Sequence, residues 1–366
     1  MKKIAVIETG VPNHTPILVN WAKICNLKGW ELTVYTTQDC YQLVESKLKK
    51  INSFKGVKFI EDLSLFNLKR YHSDLKKYDD VLIASLYGGY LKYFLLIFFC
   101  KNFSLTMHNV NKWFVPVRTG DRFLSEIKSY LSFFLRKLII RNIKKIIVNS
   151  ENQKKYLKEK YAYLNVHVIP FKMDFFPKND CKVQTLANIV VVYPGIISFD
   201  RKRYDNFILI SEKFPQIKFV LLGEMSNDSA GKYILAEIEK RQLKNVVYFR
   251  NYVSNDVFEY YMNEASVIFS DINIESNGET YGQSKDSGAP YLMAEYGLPF
   301  IVNSDFKNIP ALDAATSYYH DQSSLIKIFE CLIIDPTFLN GKISLNLRGR
   351  ETISLKNVAS EFKGFD

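Results

Sequence analysis

The sequence predicts an α/β chain built as two doubly wound, Rossmann-like domains facing each other across a cleft. Three observations predict it. Short apolar, β-branched runs alternate with helix-length segments, that rhythm pauses once and restarts, and 366 residues exceed the ~100–200 of one comfortable core. An apolar share of 47% and an aromatic share of 14% exclude a disordered chain, which would be far poorer in Phe, Tyr, Ile and Leu.

The opening MKKIAVIETG carries two lysines, but Glu8 breaks its apolar run too early for a leader, so 4–8 reads as a first strand. Strands follow at 31–37, 57–61, 81–85, 102–108, 145–150 and 166–170. Continuous apolar strands separated by helix-length segments imply a parallel sheet covered on both faces. The run VLIASLYGGYLKYFLLIFFC, 81–100, is long enough to threaten a membrane span. Lys92 in its middle and the Gly88-Gly89 punctuation divide it instead into two shorter elements.

The polar stretch FPKNDCKVQTLAN, 176–188, marks the pause. Beyond it strands are expected at 188–195, 218–224, 246–252, 266–271 and 299–304, with helices near 204–213, 229–240, 255–264 and 288–297. The expected domains are 1–180 and 181–345, with a C-terminal helix at 346–366 returning to the first. Ligands of such sheets bind at the carboxyl ends of the strands, which directs attention to the loops there.

Forty-nine Lys and Arg against 38 Asp and Glu leave a formal charge of +11, which favours an anionic partner. Nucleic acid is set aside, because no helix-turn-helix, ribonucleoprotein or zinc pattern accompanies the charge. Phosphorylated small molecules and an anionic membrane surface remain. Five scattered cysteines (Cys25, Cys40, Cys100, Cys181, Cys331) form no disulfide or zinc framework, so a reducing cytoplasm is expected.

Two stretches could hold a diphosphate. In SKDSGAPYLMAEYGLP the triplet Ser287-Gly288-Ala289 stands at a helix start, where backbone N–H groups and the helix dipole favour an anion; Lys285, Ser284 and Ser287 would add a charge and hydroxyls. The same residues also suit a plain Ser N-cap with Gly for close packing. In YPGIISFDRKRYDNF, Gly195 ends a strand and Arg201, Lys202 and Arg203 precede the next helix, either facing the anion or lying in a solvated loop. Gly223 in LLGE allows close backbone approach to a ligand, or a tight turn.

Residues 128–160 interleave Lys128, Arg136, Lys137, Arg141, Lys144, Lys145, Lys154, Lys155, Lys158 and Lys160 with bulky apolar residues. Ile127, Leu131, Phe134 and Leu138 make one helical face, expected to lie against the sheet. Phe133, Ile140 and the cations take other directions. The segment suits either peripheral attachment to an anionic membrane or a buried helix with snorkelling cations.

The order of these pieces, with HTPILVNWAK, GWELTVYT, LTMHNVNKWF, IIVNSENQKKYL and VHVIPF in the first half, resembles the two-domain glycosyltransferases of the GT-B fold over nearly the whole chain. It is most similar to glycosyltransferase family four. The resemblance implies that Lys202 is the donor-diphosphate lysine, Ser287-Gly288-Ala289 the backbone cradle, and His108 the histidine near the transferred sugar. Asn109 assists it, and Gly10, between Thr9 and Val11, faces the donor. Two departures stand out. Aligned on Gly297-Leu298-Pro299, the family's paired glutamates fall on Ser284 and Leu292, leaving Glu279 or Glu295 to serve the ribose or sugar. Ile196 replaces an arginine, leaving Arg201 or Arg203 to supply that charge.

The expected activity is therefore metal-independent transfer of a sugar from a nucleotide-diphosphate sugar to a glycan or lipid-linked glycan. It needs no further cofactor and would take place in the cytoplasm, peripheral to the plasma membrane. A nucleotide-sugar epimerase of the same fold and a silent nucleotide-sugar-binding scaffold are the alternatives.

Overall fold

A computed structural model describes residues 1–9, 14–60, 65–99, 102–116, 123–175, 189–226 and 228–364. Gly10 and the expected 180/181 boundary lie outside the described residues. The chain divides into two compact units. The first comprises Met1–Met173, Ser284–Asp286 and Leu355–Asp366, and the second Asp174–Gln283 and Ser287–Ser354.

In the first unit the strands are β1 (Lys3–Glu8), β2 (Glu31–Thr36), β3 (Phe54–Phe59), β4 (Asp80–Ile83), β5 (Phe103–Thr106), β6 (Lys145–Val148) and β7 (Val166–Val168). They pair in the order β3-β2-β1-β4-β5-β6-β7, every pair parallel. Between them run α1 (Pro16–Lys28), α2 (Gln38–Gln42), α3 (Glu45–Leu48), α4 (Leu65–Leu75), α5 (Tyr90–Phe99), α6 (Val110–Phe114), α7 (Phe123–Asn142) and α8 (Glu151–Lys160). Strand alternation sends Ile4 and Val6 into a core with Trp21 and Val34, and Ala5 and Ile7 into another with Ile83 and Leu105, so the sheet is buried on both faces.

The second unit repeats the plan. Its strands are β8 (Val190–Pro194), β9 (Lys218–Glu224), β10 (Val246–Phe249), β11 (Val267–Ser270), the short pair β12 (Glu275–Ser276) and β13 (Glu279–Thr280), β14 (Phe300–Asn303) and β15 (Thr316–Tyr319). The main sheet runs β10-β9-β8-β11-β14-β15, again parallel throughout. Its helices are α9 (Asp205–Lys213), α10 (Ser229–Lys240), α11 (Asn255–Glu264), α12 (Gly288–Tyr296), α13 (Gln322–Ile334) and α14 (Pro336–Thr352). The core gathers Tyr193, Phe207, Phe219, Phe269 and Phe329. Side-chain caps start several helices where the sequence offers them: Asp228 accepts from Ala230 and Gly231 N–H, and Asp321 with Ser324 forms a capping box.

The doubly wound architecture expected for both halves is present. β15 and the β12–β13 hairpin were not anticipated. The final helix, α15 (Leu355–Glu361), belongs to the first unit with the residues after it; the return starts at Leu355, not at 346, because 346–352 continues α14. Phe362 packs edge-on to Trp21 and Trp30, and Lys145 Nζ donates to the Gly364 carbonyl at 2.7 Å.

The run 81–100 splits, as expected, into β4 and α5, and no helix among the described residues is long and apolar enough to cross a membrane. The face assigned to α7 needs correcting. Ile127, Leu131 and Phe134 are exposed and Leu138 half-buried, while Ile139 and Ile140 face the core. Arg136 is also buried. It donates to the Lys112 carbonyl and lies over the Tyr90 ring at 5.5 Å, so it is a structural cation and not part of a charged surface.

Gly349, inside α14, offers a sharp test of packing. Alanine is intrinsically better in a helix by about 1 kcal/mol. Here a Cβ would fall 1.9 Å from the Ala311 carbonyl oxygen in the 3-10 turn Pro310–Ala315. Displacing that backbone costs about 1–3 kcal/mol and outweighs the propensity. Gly349→Ala should therefore lower the thermal midpoint; an unchanged or higher midpoint would show that the turn yields freely.

Candidate functional site

Each sheet reverses its strand order once, between β1 and β4 in the first unit and between β8 and β11 in the second, and the carboxyl ends of those strands are where such folds hold ligands. In the second unit β8 ends at Pro194 and the chain turns at Gly195, whose φ of 97° lies in the left-handed region. Gly223, in β9, runs so close that a Cβ there would be 2.2 Å from the Gly195 oxygen. Gly223 is thus required by backbone packing, the tight-turn alternative of its two readings.

Lys202 folds back into this turn. Its Nζ donates to the Pro194 carbonyl and lies 4.8 Å over the Tyr193 ring, 3.2 Å from where a Gly195 Cβ would be. Its backbone bridges Ile272, just past β11. The ammonium therefore sits at the switch point itself. Burial, and secondarily the charge of Arg201, lowers its pKa to about 7.

The neighbouring arginines differ. Arg201 is exposed. Arg203 is held by Asp271, with Nε and Nη2 each 3.1 Å from Oδ1, while Asn206 donates to Oδ2 at 2.8 Å. Arg203 is half-exposed and directs Nε and Nη2 to this buried carboxylate. Burial raises the Asp271 pKa against the opposing pull of Arg203 and Asn206.

At the start of α12 the Ser287 hydroxyl accepts from Ala289 N–H at 3.4 Å, so the plain N-cap reading is realised. Pro290, in the first turn, has no N–H, which narrows the cradle to Gly288 and Ala289. Gly288 is exposed, and a Cβ there would meet nothing within 4 Å. Glu279 is buried on β13. Glu295 is seven residues along α12, about 10 Å down the axis at 1.5 Å per residue, and cannot share the helix start.

Ser284 and Lys285 belong to the first unit, not to the helix start they precede. Ser284 is buried, its carbonyl accepting from Val110 N–H at 2.9 Å and from Gln153 Nε2 at 3.4 Å, and Lys285 bridges Asn109 through its backbone. Asp286 accepts from the Ser150 hydroxyl at 2.8 Å.

His108 lies in the same unit after β5. Nε2 is 3.1 Å from the Ala84 carbonyl and must donate to it, so Nδ1 accepts from Asn149 Nδ2 at 3.2 Å. Both ring nitrogens are committed to protein. Burial, then the neighbouring His14, pushes its pKa down to about 4. His14 meets it edge-on at 4.5 Å and shares a 3.0 Å contact between Nε2 and the Tyr87 hydroxyl. Sequence reasoning missed Glu8, the buried last residue of β1, which accepts from the Ser85 hydroxyl, and the Thr9–Tyr93 hydroxyl pair at 2.6 Å beside it. The available signal was a carboxylate closing an apolar strand.

No protein-family model and no curated protein matches the chain. Among solved structures, HepE of Anabaena in complex with UDP is 15% identical with a TM-score of 0.66, covering 99% of this chain and 98% of that one. The same protein with UDP-glucose gives 13% and 0.63 over the same shares. A putative UDP-N-acetylglucosamine 2-epimerase from Listeria monocytogenes gives 13% and 0.53, covering 98% of this chain and 94% of that one. The chain has a GT-B-like fold. Identities this low show the fold alone.

The folded His108 pKa lies below the ordinary 6.5, so between those values the unfolded chain binds the extra proton. Its stabilisation is present above pH 6.5 and is lost as pH falls toward 4. Thermal midpoints should decline over that window, and less steeply in His108→Gln; identical slopes would remove His108 as the cause.

Proposed function

We propose that this chain is a glycosyltransferase that moves a hexosyl group from a nucleotide-diphosphate sugar to a glycan or lipid-linked glycan acceptor of surface polysaccharide, on the cytoplasmic side of the membrane. The observation that carries the reading is the Lys202 ammonium lodged in the Gly195 turn at the switch point of the second sheet, held among the described residues by a carbonyl and a ring face. The fold shared with HepE, whose solved complexes contain UDP and UDP-glucose, supports it.

Breaking the bond between sugar and diphosphate leaves negative charge on the departing phosphate. A cation placed in advance, with helix N–H groups beside it, lowers the barrier because it need not reorganise as the charge develops; one such donor is worth ~3 kcal/mol. In this reading Lys202 takes the diphosphate, displacing its bond to Pro194, with Gly288 contributing its N–H, Ala289 contributing its own on release from the Ser287 hydroxyl, and Arg201 supplying long-range attraction. Arg203 positions Lys202 indirectly, by holding the turn through Asp271. A metal is not needed for this charge. His108, neutral and doubly hydrogen-bonded, positions the His14 ring, and Asn109 and Lys285 fix the adjoining backbone. Glu279 and Gly10 remain candidates for the donor sugar.

Incubation with UDP-glucose tests the reaction class. A transferase releases UDP only when glycan acceptor is added. Conversion of the nucleotide sugar to an epimer without acceptor would overturn the reading in favour of an epimerase.

Two further outcomes follow for the donor site. UDP-glucose carries constant charge between pH 7 and 8.5, whereas Lys202 must take up a proton to pair with it. Affinity should therefore be full about a unit below pH 7 and fall about thirtyfold by pH 8.5, with no such slope in Lys202→Met. Calorimetry showing the same slope in both proteins would detach Lys202 from the donor. Gly288→Val should leave the melting temperature near wild type, since its Cβ meets nothing, yet weaken UDP-glucose at least tenfold; unchanged affinity would make Ser287–Ala289 a helix cap alone.

A further inference from the structure

The outward face of α7 and its neighbour α5 is the largest feature of the first unit that sugar transfer does not use. Ile127, Tyr130, Leu131 and Phe134 are 48%, 57%, 57% and 57% exposed, and they stand at i, i+3, i+4 and i+7, one continuous stripe of the helix. α5 packs beside α7 and turns out a second stripe of the same spacing: Leu91 and Phe98 are 55% and 54% exposed, with Phe94 and Leu95 half-buried between them. The opposite faces, Tyr93, Leu96 and Ile97 on α5 and Ile139 and Ile140 on α7, fill the core. Both helices are therefore apolar on two sides, and folding accounts for only one. Single exposed apolar residues are ordinary, whereas two adjoining stripes of large ones mark an interaction surface.

The charges around the stripes choose the partner. Lys128 flanks the α7 stripe, and Lys137 and Arg141 continue it toward the helix C-terminus, all exposed; Lys92 is exposed on α5. The two helices carry a single carboxylate, Glu126, against these cations. A protein interface of this apolar content would ordinarily deplete lysine. Aromatic and aliphatic side chains ringed by Lys and Arg suit the boundary between acyl chains and anionic headgroups.

We infer that the paired outer faces of α5 and α7 form a peripheral docking surface for an anionic lipid bilayer, with Ile127, Leu131, Phe134, Leu91 and Phe98 entering the acyl boundary and Lys128, Lys137 and Arg141 contacting headgroups. Arg136, Lys144 and Lys145 take no part. Arg136 and Lys145 are buried on carbonyls, and Lys144 lies 3.9 Å from Asp80. The surface lies wholly in the first unit and its binding requires no nucleotide, so it stands or falls separately from the donor reading.

Co-sedimentation of the full chain with phosphatidylglycerol–phosphatidylcholine vesicles, and with phosphatidylcholine alone, provides the test. Wild type should pellet with the anionic vesicles at low salt, much less with neutral ones, and progressively less as salt rises. The triple variant Lys128→Gln, Lys137→Gln, Arg141→Gln should bind on the order of 100-fold more weakly, at about fivefold per cation. Ile127→Ser, Leu131→Ser, Phe134→Ser, a change of exposed residues only, should abolish pelleting while leaving the melting temperature and UDP-glucose affinity unchanged. Failure of wild type to pellet with anionic vesicles at low salt would overturn the inference. So would equal binding by the serine variant, or a wild-type dimer in sedimentation velocity that the serine variant dissolves and that ignores vesicles.

Discussion

Both main sheets are parallel and covered on both faces, and that constraint decides where chemistry can occur. The central strands β1, β4, β8 and β11 are buried along nearly all their length and mostly apolar, which pushes polar function to the strand ends. Parallel order then gathers every carboxyl end on one edge, together with the N-termini of the following helices. The reversal of winding separates two adjacent loops there and leaves room for a ligand. In the second unit that position holds the Gly195 turn, Lys202 and Asp271; in the first it holds Glu8, Ser85 and, one strand further, His108.

Burying charge at these edges is costly unless each charge is answered. Two of the three cations after β8 differ in this. Arg203 is matched to the Asp271 carboxylate, whose pKa burial raises, and the pair ties the loop to the end of β11. Burial, with the charge of Arg201 beside it, lowers the pKa of Lys202, and no ion pair among the described residues opposes the shift. An incoming anion would restore what the lysine loses on burial, so the weaker-held cation is the one suited to bind. The same distinction separates the histidines. His108 completes two bonds to protein, whereas His14 carries one hydroxyl contact and ring contacts with Tyr87, His108 and Phe171.

The fold was legible because its signal is repeated: β-branched strands and helix periods recur along each half, and α10 and α11 fall on 229–240 and 255–264 as expected. The site was legible in parts. Gly195 and Lys202 are brought together through a local turn that the spacing already contains. The pairing of Arg203 with Asp271 was not legible, because the partner is distant in sequence. The grouping of Ser284–Asp286 with the first unit was not legible, because it rests on backbone partners distant in sequence, Val110 and Asn109. Pro290 was readable and overlooked: a proline in the first turn subtracts a donor from any proposed cradle. The β12–β13 hairpin also had its signature, Asn277-Gly278 between short polar runs, with both residues at positive φ.

α7 shows a deeper limit. Periodicity identifies a face but not its direction, and this helix has an apolar face on either side. The stripe Ile127, Leu131, Phe134 and Leu138 is the more regular of the two, which is why it reads as the core face. The inner face buries Ile139 and Ile140 in the core, and there the Arg136 guanidinium reaches the Lys112 carbonyl and the Tyr90 ring. The stripe turned outward forgoes its transfer energy, about 25 cal/mol per Å² left in water. That residual exposure is what a bilayer would remove.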